Sequence, residues 1–236
     1  MIKNLLQNYI KDYKITLTEN QYEQFQKYFE LLAEWNEKMN LTAITDESGV
    51  ALKHFADSLS LLNFVDIPQN SSLVDVGTGA GFPGVVLKIA RPDIKLTLID
   101  SLNKRLVFLG EVCAQLGIEA ELIHSRAEDG ARDEKLRESF DFAASRAVAR
   151  MNVLSEYCLP YVKVGGAFCA MKGAQANEEF KESLNAINTL GGKLENKYFF
   201  ELPENGGERA IAVDPNSELA FMAAQIQDRT MMRVFW

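Results

Sequence analysis

Three glycines at alternating positions close a short apolar run, Leu73-Val74-Asp75-Val76-Gly77-Thr78-Gly79-Ala80-Gly81. Glycine adopts left-handed backbone conformations at little steric cost, and it lets a main chain approach a ligand that any Cβ would exclude. A buried strand ending in such a turn is a place to hold a nucleotide-like group, so Gly77, Gly79 and Gly81 are candidate cofactor-binding residues. Two cofactors compete for the loop. Gly79-Ala80-Gly81-Phe82-Pro83-Gly84 fits the dinucleotide pattern G-x-G-x-x-G. Register counts against NAD, because the strand ends near Val76 and the turn starts at Gly77 rather than Gly79. Asp75 counts against it as well, since a carboxylate at the strand end repels phosphates. S-adenosylmethionine has no phosphate and carries a sulfonium and an ammonium group, which acidic residues suit. A glycine-rich turn with no ligand is the plain structural alternative.

Further candidates lie at the ends of later apolar runs. Asp100 ends Leu96-Thr-Leu-Ile-Asp100, 19 residues after Gly81. That is about where a ribose-binding carboxylate falls in nucleoside sites of this kind; capping the next helix is the compatible alternative. Ala127 and Glu128 follow a third strand. A small residue there leaves room for an adenine, and a polar neighbour reads its edge; for Glu128 the alternative is a solvated loop charge. Arg146 closes a fourth strand, either at the methyl-transfer position or in an ion pair with Asp141 or Glu128. No N/D-P-P-Y/F motif stands at Ser145-Arg146-Ala147, and no Pro-Cys pair occurs. These absences disfavour exocyclic-amine and cytosine-C5 targets and favour an atom that is already nucleophilic, such as guanine N7. His54 and His124 lack a partner at metal-ligand spacing, and no metal site is expected. Lys172 follows the fifth strand on the ligand side, unless it is a simple surface lysine.

These residues need elements to carry them. Residues 1–68 read as a helical extension, with Thr18 and Gln21 as a capping box. Behind them Tyr22, Phe25, Phe29, Leu32, Trp35 and Met39 recur at helical spacing. Asp46 caps a further helix. From Leu73 to Val213 strands and helices alternate, which requires a mostly parallel sheet with helices on both faces. Helices are expected at Val85 to Ala90, Lys104 to Leu116, Met151 to Val162 and Ala174 to Thr189. A fifth strand follows Gly165-Gly166, and a hairpin at Lys197 to Leu202 and Ala210 to Val213 closes the sheet.

The chain has 236 residues, 47% of them hydrophobic, enough for one sizeable core. No apolar run reaches the roughly 18 residues of a membrane span, and Gln7 and Asn8 break the N-terminal apolar run, unlike a signal peptide. Cys113, Cys158 and Cys169 are scattered among apolar neighbours, as expected of buried thiols in a cytoplasmic protein. The formal net charge of -8 argues against indiscriminate nucleic-acid binding but leaves room for a local basic patch.

Six segments together resemble one family: Trp35-Asn-Glu-Lys-Met-Asn40-Leu-Thr42, Lys53-His54-Phe-Ala-Asp57-Ser-Leu59, Asp75 to Gly84, Ser125-Arg-Ala-Glu128, Ser145-Arg-Ala-Val148 and Met171-Lys-Gly173. They are similar to the RsmG (GidB) family, which methylates guanine N7 in the 530 loop of 16S ribosomal RNA. The resemblance implies a Rossmann-like class I fold with a seven-stranded sheet, S-adenosylmethionine as cofactor, and 16S ribosomal RNA or the small subunit as partner. It implies that Gly77, Phe82, Ala127, Glu128 and Arg146 contact the cofactor, with Arg146 as the catalytic candidate. Asn40, His54, Arg126 and Lys172 match motif positions around the pocket and are assigned to target binding. Two competing readings are a methyltransferase of a small molecule or protein, and a non-catalytic ribosome-assembly module. Residues 214–236 depart from the family's Lys/Arg/Pro-rich tail, with Arg229 and Arg233 against Asp214, Glu218 and Asp228. The protein is expected to be a monomer.

Overall fold

The computed structural model describes residues 1–215, so most of the non-basic tail lies outside the described residues. Helices α1 (Ile2–Tyr9) and α2 (Glu19–Met39) open the chain. Thr18 forms the expected capping box with Gln21. The Gln21 side chain is buried and donates to the Ile89 carbonyl at 2.7 Å, so the cap also fastens α2 to the sheet domain. The buried stripe of α2 runs through Tyr22, Phe25, Tyr28 and Leu32, whereas Phe29, Trp35 and Met39 sit partly buried at its margin. Tyr28 enters the core because its hydroxyl finds an acceptor there, the carbonyl of Ala80.

Helix α3 (Glu47–Val50) starts at the Asp46 cap. It runs through a π-helical turn at Ala51–Ala56 into α4 (Asp57–Phe64). Wide turns of this kind are frequent where a helix carries functional side chains, and this one carries Lys53 and His54.

Strands and helices then alternate: β1 (Ser72–Val76), α5 (Gly84–Ala90), β2 (Lys95–Asp100), α6 (Asn103–Leu116), β3 (Ala120–His124), α7 (Ala127–Gly130), β4 (Phe140–Arg146), α8 (Met151–Cys158), β5 (Val162–Lys172), α9 (Ala176–Leu190), β6 (Asn196–Leu202) and β7 (Gly207–Pro215). They build one seven-stranded sheet in the order β3-β2-β1-β4-β5-β7-β6. The pairs from β3 to β5 are parallel, and β7 runs antiparallel to both β5 and β6. Strand order reverses between β1 and β4, so the carboxyl ends of these strands open the crevice where such sheets take ligands.

Strand β7 runs from Gly207 rather than Ala210, and the boundaries of α8 and β5 differ from expectation as well. Helix α8 stops at Cys158, and a short 3-10 turn at Leu159–Tyr161 replaces its last turn. Strand β5 starts at Val162, ahead of Gly165-Gly166. The register slips between Phe140 and Phe142, and Gly166 lies so close to Asp141 that any Cβ there would collide with its carbonyl. Apolar layers cover both faces of the sheet: α1 through α6 on one side, α8 and α9 on the other. The three cysteines are buried and unbonded. No helix among the described residues is long and apolar enough to cross a membrane.

Candidate active site

Gly77, Gly79 and Gly81 all have positive φ, at 71°, 60° and 95°. The amides of Gly77 and Thr78 donate to the Ile99 carbonyl at 2.9 and 3.1 Å, and the Gly79 amide donates to Asp100 Oδ2 at 2.9 Å. The loop after β1 is thereby sewn to the end of β2. The glycines then divide by role. A Cβ on Gly79 would meet nothing nearer than the Gly77 carbonyl at 4.0 Å, so that position faces open space. Gly81 does not line the cleft: its Cβ would stand 2.5 Å from Tyr28 Oη and 2.7 Å from Val85 Cγ2. Gly84, unassigned from sequence, is equally confined, with Leu98 Cδ2 at 2.7 Å and Asp75 Oδ2 at 2.8 Å. The first two glycines shape the cleft, and the later two admit the neighbours that hold the loop.

Asp75 is fully buried and does not line the cleft. Its Oδ2 accepts from Thr78 Oγ1 at 2.7 Å and from the Gly84 amide at 2.8 Å, while its Oδ1 has no partner. It is a strut beneath the loop rather than a counter-charge facing a sulfonium. Burial pushes its carboxyl up to about 6, against the lowering effect of its Thr78 and Gly84 hydrogen bonds. Between the ordinary carboxylate range and that value, the folded state keeps a proton the unfolded chain has released. Its stabilising contribution is therefore complete at low pH and lost as pH rises through about 6. Asp75→Asn should gain stability relative to the wild type as pH rises across that window, measured as the difference between urea-unfolding free energies at pH 4, 5, 6 and 7. A pH-independent difference would show that Asp75 is not shifted.

The cleft above the loop has a volume of about 480 Å³ and is lined by Gly77, Gly79, Phe82, Asp100, Arg126, Ala127, Glu128 and Arg146, with Leu41, Thr42, His54 and Tyr157 closing it. Asp100 lines the cleft but does not cap α6, whose N-cap is Leu102 without a side-chain cap bond. Its Oδ1 accepts the Leu102 amide at 2.9 Å at the start of α6, and its Oδ2 takes Gly79 and Arg105 while facing the cleft. The Ala127 carbonyl is pinned by the Tyr161 hydroxyl at 2.7 Å. Arg126 and Glu128 pair at 2.7 Å on the exposed rim. A backbone amide and Arg126 hold the Glu128 carboxyl below its usual range.

Arg146 ends β4 inside a compact cluster. Its NH1 donates to Asp57 Oδ2 at 2.9 Å and to the Lys53 carbonyl at 3.0 Å, and its NH2 reaches His54 Nδ1 at 3.3 Å. Neither Asp141 nor Glu128 is the partner; Asp141 is held by Ser72 and Lys163. The counter-ion comes instead from the helical extension. Phe82 lies beneath, with the guanidinium 5.0 Å from its ring centre and His54 stacked on it at 4.6 Å. Burial and the Arg146 charge push His54 down to about 3, so the imidazole is neutral. His54 Nδ1 lies 3.1 Å from the Lys53 carbonyl and 3.3 Å from Arg146 NH2, and Nε2 shares a 2.8 Å hydrogen bond with Thr42 Oγ1.

A second cleft of about 550 Å³ meets the first at His54, Arg146, Ala147 and Val148, and is also lined by Lys53, Asp57, Arg150, Lys172, Phe200 and Arg209. Lys172 belongs to this second cleft, with its ammonium bound to Glu179 at 2.7 Å and to the Ala149 carbonyl at 2.6 Å. Asn40 lines neither cleft. It caps α2 in the left-handed conformation, and the following Leu41 and Thr42 reach the first cleft. Sequence reasoning missed Asp57 and Arg209. The available signal was the His54-to-Asp57 spacing, since residues three apart share a helix face. Among the described residues no cluster of ligands is arranged for a metal ion.

A sheet of this order with a glycine loop after its first strand and a carboxylate ending its second defines a class I, S-adenosylmethionine-dependent methyltransferase. The fold is similar to that of a SAM-dependent methyltransferase from Aquifex aeolicus, with a TM-score of 0.55 at 17% identity over 77% of this chain and 97% of that one. It is also similar to TrmN from Thermus thermophilus, with a TM-score of 0.53 at 16% identity over 67% of this chain and 48% of that one. The family model GidB, rRNA small subunit methyltransferase G, matches residues 21–206. Proteins named ribosomal RNA small subunit methyltransferase G are 52% identical in Staphylococcus epidermidis, over 84% of this chain and 83% of the relative. The one in Leuconostoc citreum is 53% identical over 86% of each. The chain belongs to the rRNA small subunit methyltransferase G family.

Proposed function

We propose that the protein transfers a methyl group from S-adenosylmethionine to N7 of a guanosine in the 530 loop of 16S ribosomal RNA. The observation that carries this reading is the junction of the two clefts, where a neutral His54 and an anchored Arg146 meet. The donor set of the first cleft fits the cofactor: the carboxylate of Asp100 for ribose hydroxyls, Ala127 and Glu128 beside an adenine, and open space over Gly79. Its volume, about 480 Å³, lies within the range of small-molecule sites. When bound, S-adenosylmethionine supplies an electrophilic methyl group.

Guanine N7 carries a lone pair and no proton, so its methylation requires no general base. The junction matches that requirement. Both nitrogens of His54 are occupied, Nε2 by Thr42 and Nδ1 by the Lys53 carbonyl and Arg146, and the ring is too poor a base to take a proton at neutral pH. What the residues provide is orientation and a fixed set of donors. Arg146 lines both clefts, with the Phe82 ring beneath its guanidinium on the side of the first.

The second cleft favours RNA over a metabolite. Lys53, Arg146, Arg150, Lys172 and Arg209 outnumber Asp57 and Glu179 along it, in a chain whose net charge is -8. Such a local patch draws a phosphate backbone without giving the whole surface an affinity for nucleic acid. Reaching N7 in folded RNA requires an exposed or extruded base.

Methyl transfer from radiolabelled cofactor should label 16S RNA, and nucleoside digestion should recover the label as 7-methylguanosine. Label confined to a metabolite extract or to protein supports the small-molecule or protein reading. Cofactor binding in calorimetry without any label supports a non-catalytic module.

A further inference from the structure

Asp57 stands at the start of α4 and is only 4% exposed. Its two oxygens serve two different strands. Oδ2 takes Arg146 NH1 from the end of β4 at 2.9 Å, and Oδ1 takes Arg209 Nε from β7 at 3.2 Å. In the sheet β5 lies between those two strands, so no backbone pairing brings the arginines together. Two guanidinium groups in one cleft repel each other unless an anion lies between them. One buried carboxylate from the helical extension meets that need.

The arginines are held without being used up. Arg146 spends NH1 on Asp57 and Lys53, and its NH2 lies 3.3 Å from His54 Nδ1. Arg209 spends Nε on Asp57 and NH1 on the Glu208 carbonyl. Among the described residues, Arg146 Nε and Arg209 NH2 have no protein acceptor. Both side chains line the second cleft. A planar guanidinium fixed on one edge presents its remaining donors in a set direction, the arrangement that suits oxygen atoms of a nucleotide.

We propose that Asp57 is a positioning residue for methyl transfer. It acts through Arg146 and Arg209, setting their unspent N–H donors to hold the acceptor nucleotide at the junction of the two clefts. The proposal rests on the reading of the second cleft as the RNA side of the site. A group displaced by about 1 Å in such a site costs on the order of 10²-fold in rate.

The test compares wild type, Asp57→Asn and Asp57→Glu in full-length protein, with 16S RNA and labelled cofactor, below the melting temperature of each. Rates are expressed per folded molecule from near-ultraviolet circular dichroism. In Asp57→Asn, kcat should fall on the order of 10²-fold, with KM for S-adenosylmethionine little changed. Asp57→Glu, which keeps the charge, should recover part of the loss. Folded Asp57→Asn with wild-type kcat overturns the proposal, as does a loss accounted for wholly by unfolded protein. If Asp57→Asn does not fold, Asp57→Glu decides: a lowered kcat in protein of normal melting temperature supports positioning, and wild-type kcat overturns it. A wild-type enzyme that leaves RNA unlabelled overturns the functional reading itself, whereas wild-type turnover matched by Asp57→Asn overturns only the role of Asp57.

Discussion

Replacing Arg146 by alanine should lower guanine-N7 methylation by roughly 10²–10³-fold, the usual loss when one fixed donor is removed from a site built on preorganised charge. The side chain sits where the two clefts meet and touches Asp57, Lys53 and His54. Its removal deletes a positive charge and frees His54 from the interaction that orients it. Stability falls too. The Arg146 side chain is 13% exposed and that of Asp57 6%, and breaking a buried pair costs about 3–5 kcal/mol when the remaining charge has no other partner. Here Arg209 still lies 3.2 Å from Asp57 Oδ1, so the loss should fall below that range. Arg146→Lys separates the two effects. It keeps the charge near Asp57, but an ammonium lacks the planar fork that reaches a carboxylate, a carbonyl and an imidazole at once. The lysine variant should therefore melt close to wild type while remaining slow. Single-turnover rates beside thermal melts decide the matter, and wild-type rates in folded Arg146→Ala would remove Arg146 from the mechanism.

Gly81→Ala and Gly79→Ala, two residues apart in one loop, should fail in opposite ways. At Gly81 an alanine must adopt φ of 95°, a strain of about 1–3 kcal/mol. Its Cβ also enters space held by Tyr28, Val85 and Leu109, and such overpacking costs about 1–3 kcal/mol more. At roughly 2–4 °C per kcal/mol for a chain of this size, the melting temperature should drop by about 4–24 °C. The protein still folded should bind cofactor normally. At Gly79 the Cβ meets nothing nearer than the Gly77 carbonyl at 4.0 Å, and the residue lines the first cleft. That variant should lose only about 1–2 kcal/mol of stability while cofactor affinity weakens by about tenfold or more, equivalent to 1.4 kcal/mol. Calorimetric titration paired with differential scanning separates the two. A stable Gly81→Ala that no longer binds would place Gly81 in the binding surface instead.

Much of this protein is legible from local pattern. Alternating strand and helix signals located the sheet domain, and the Thr18 and Asp46 caps marked two helix starts correctly. The Gly77–Gly79 turn and Asp100 were read from spacing, because a strand-turn-helix unit places its ligand-facing residues at fixed offsets along the chain. The misread features turn on which way a side chain points and what it meets there, near or far along the chain. The buried stripe of α2 includes Tyr28 rather than Phe29 because the carbonyl of Ala80, 52 residues away, accepts its hydroxyl. Asp75 looked like a cofactor contact because a carboxylate at a strand end suggests one; its side chain turns under the loop to the Gly84 amide.

The sequence by itself determined the class of sheet, the glycine turn at the cleft and, through the joint occurrence of six short motifs, the family. Those are properties of chain-local geometry and residue type. Only the tertiary structure decided which charges meet. Arg146 finds Asp57 from 89 residues away rather than the nearer Asp141 or Glu128, and Arg209 joins them across 152 residues. Burial then decides protonation, leaving His54 neutral and Asp75 raised. Ion pairing and desolvation depend on distance and surroundings in three dimensions, and neither is encoded in the spacing of residues along the chain.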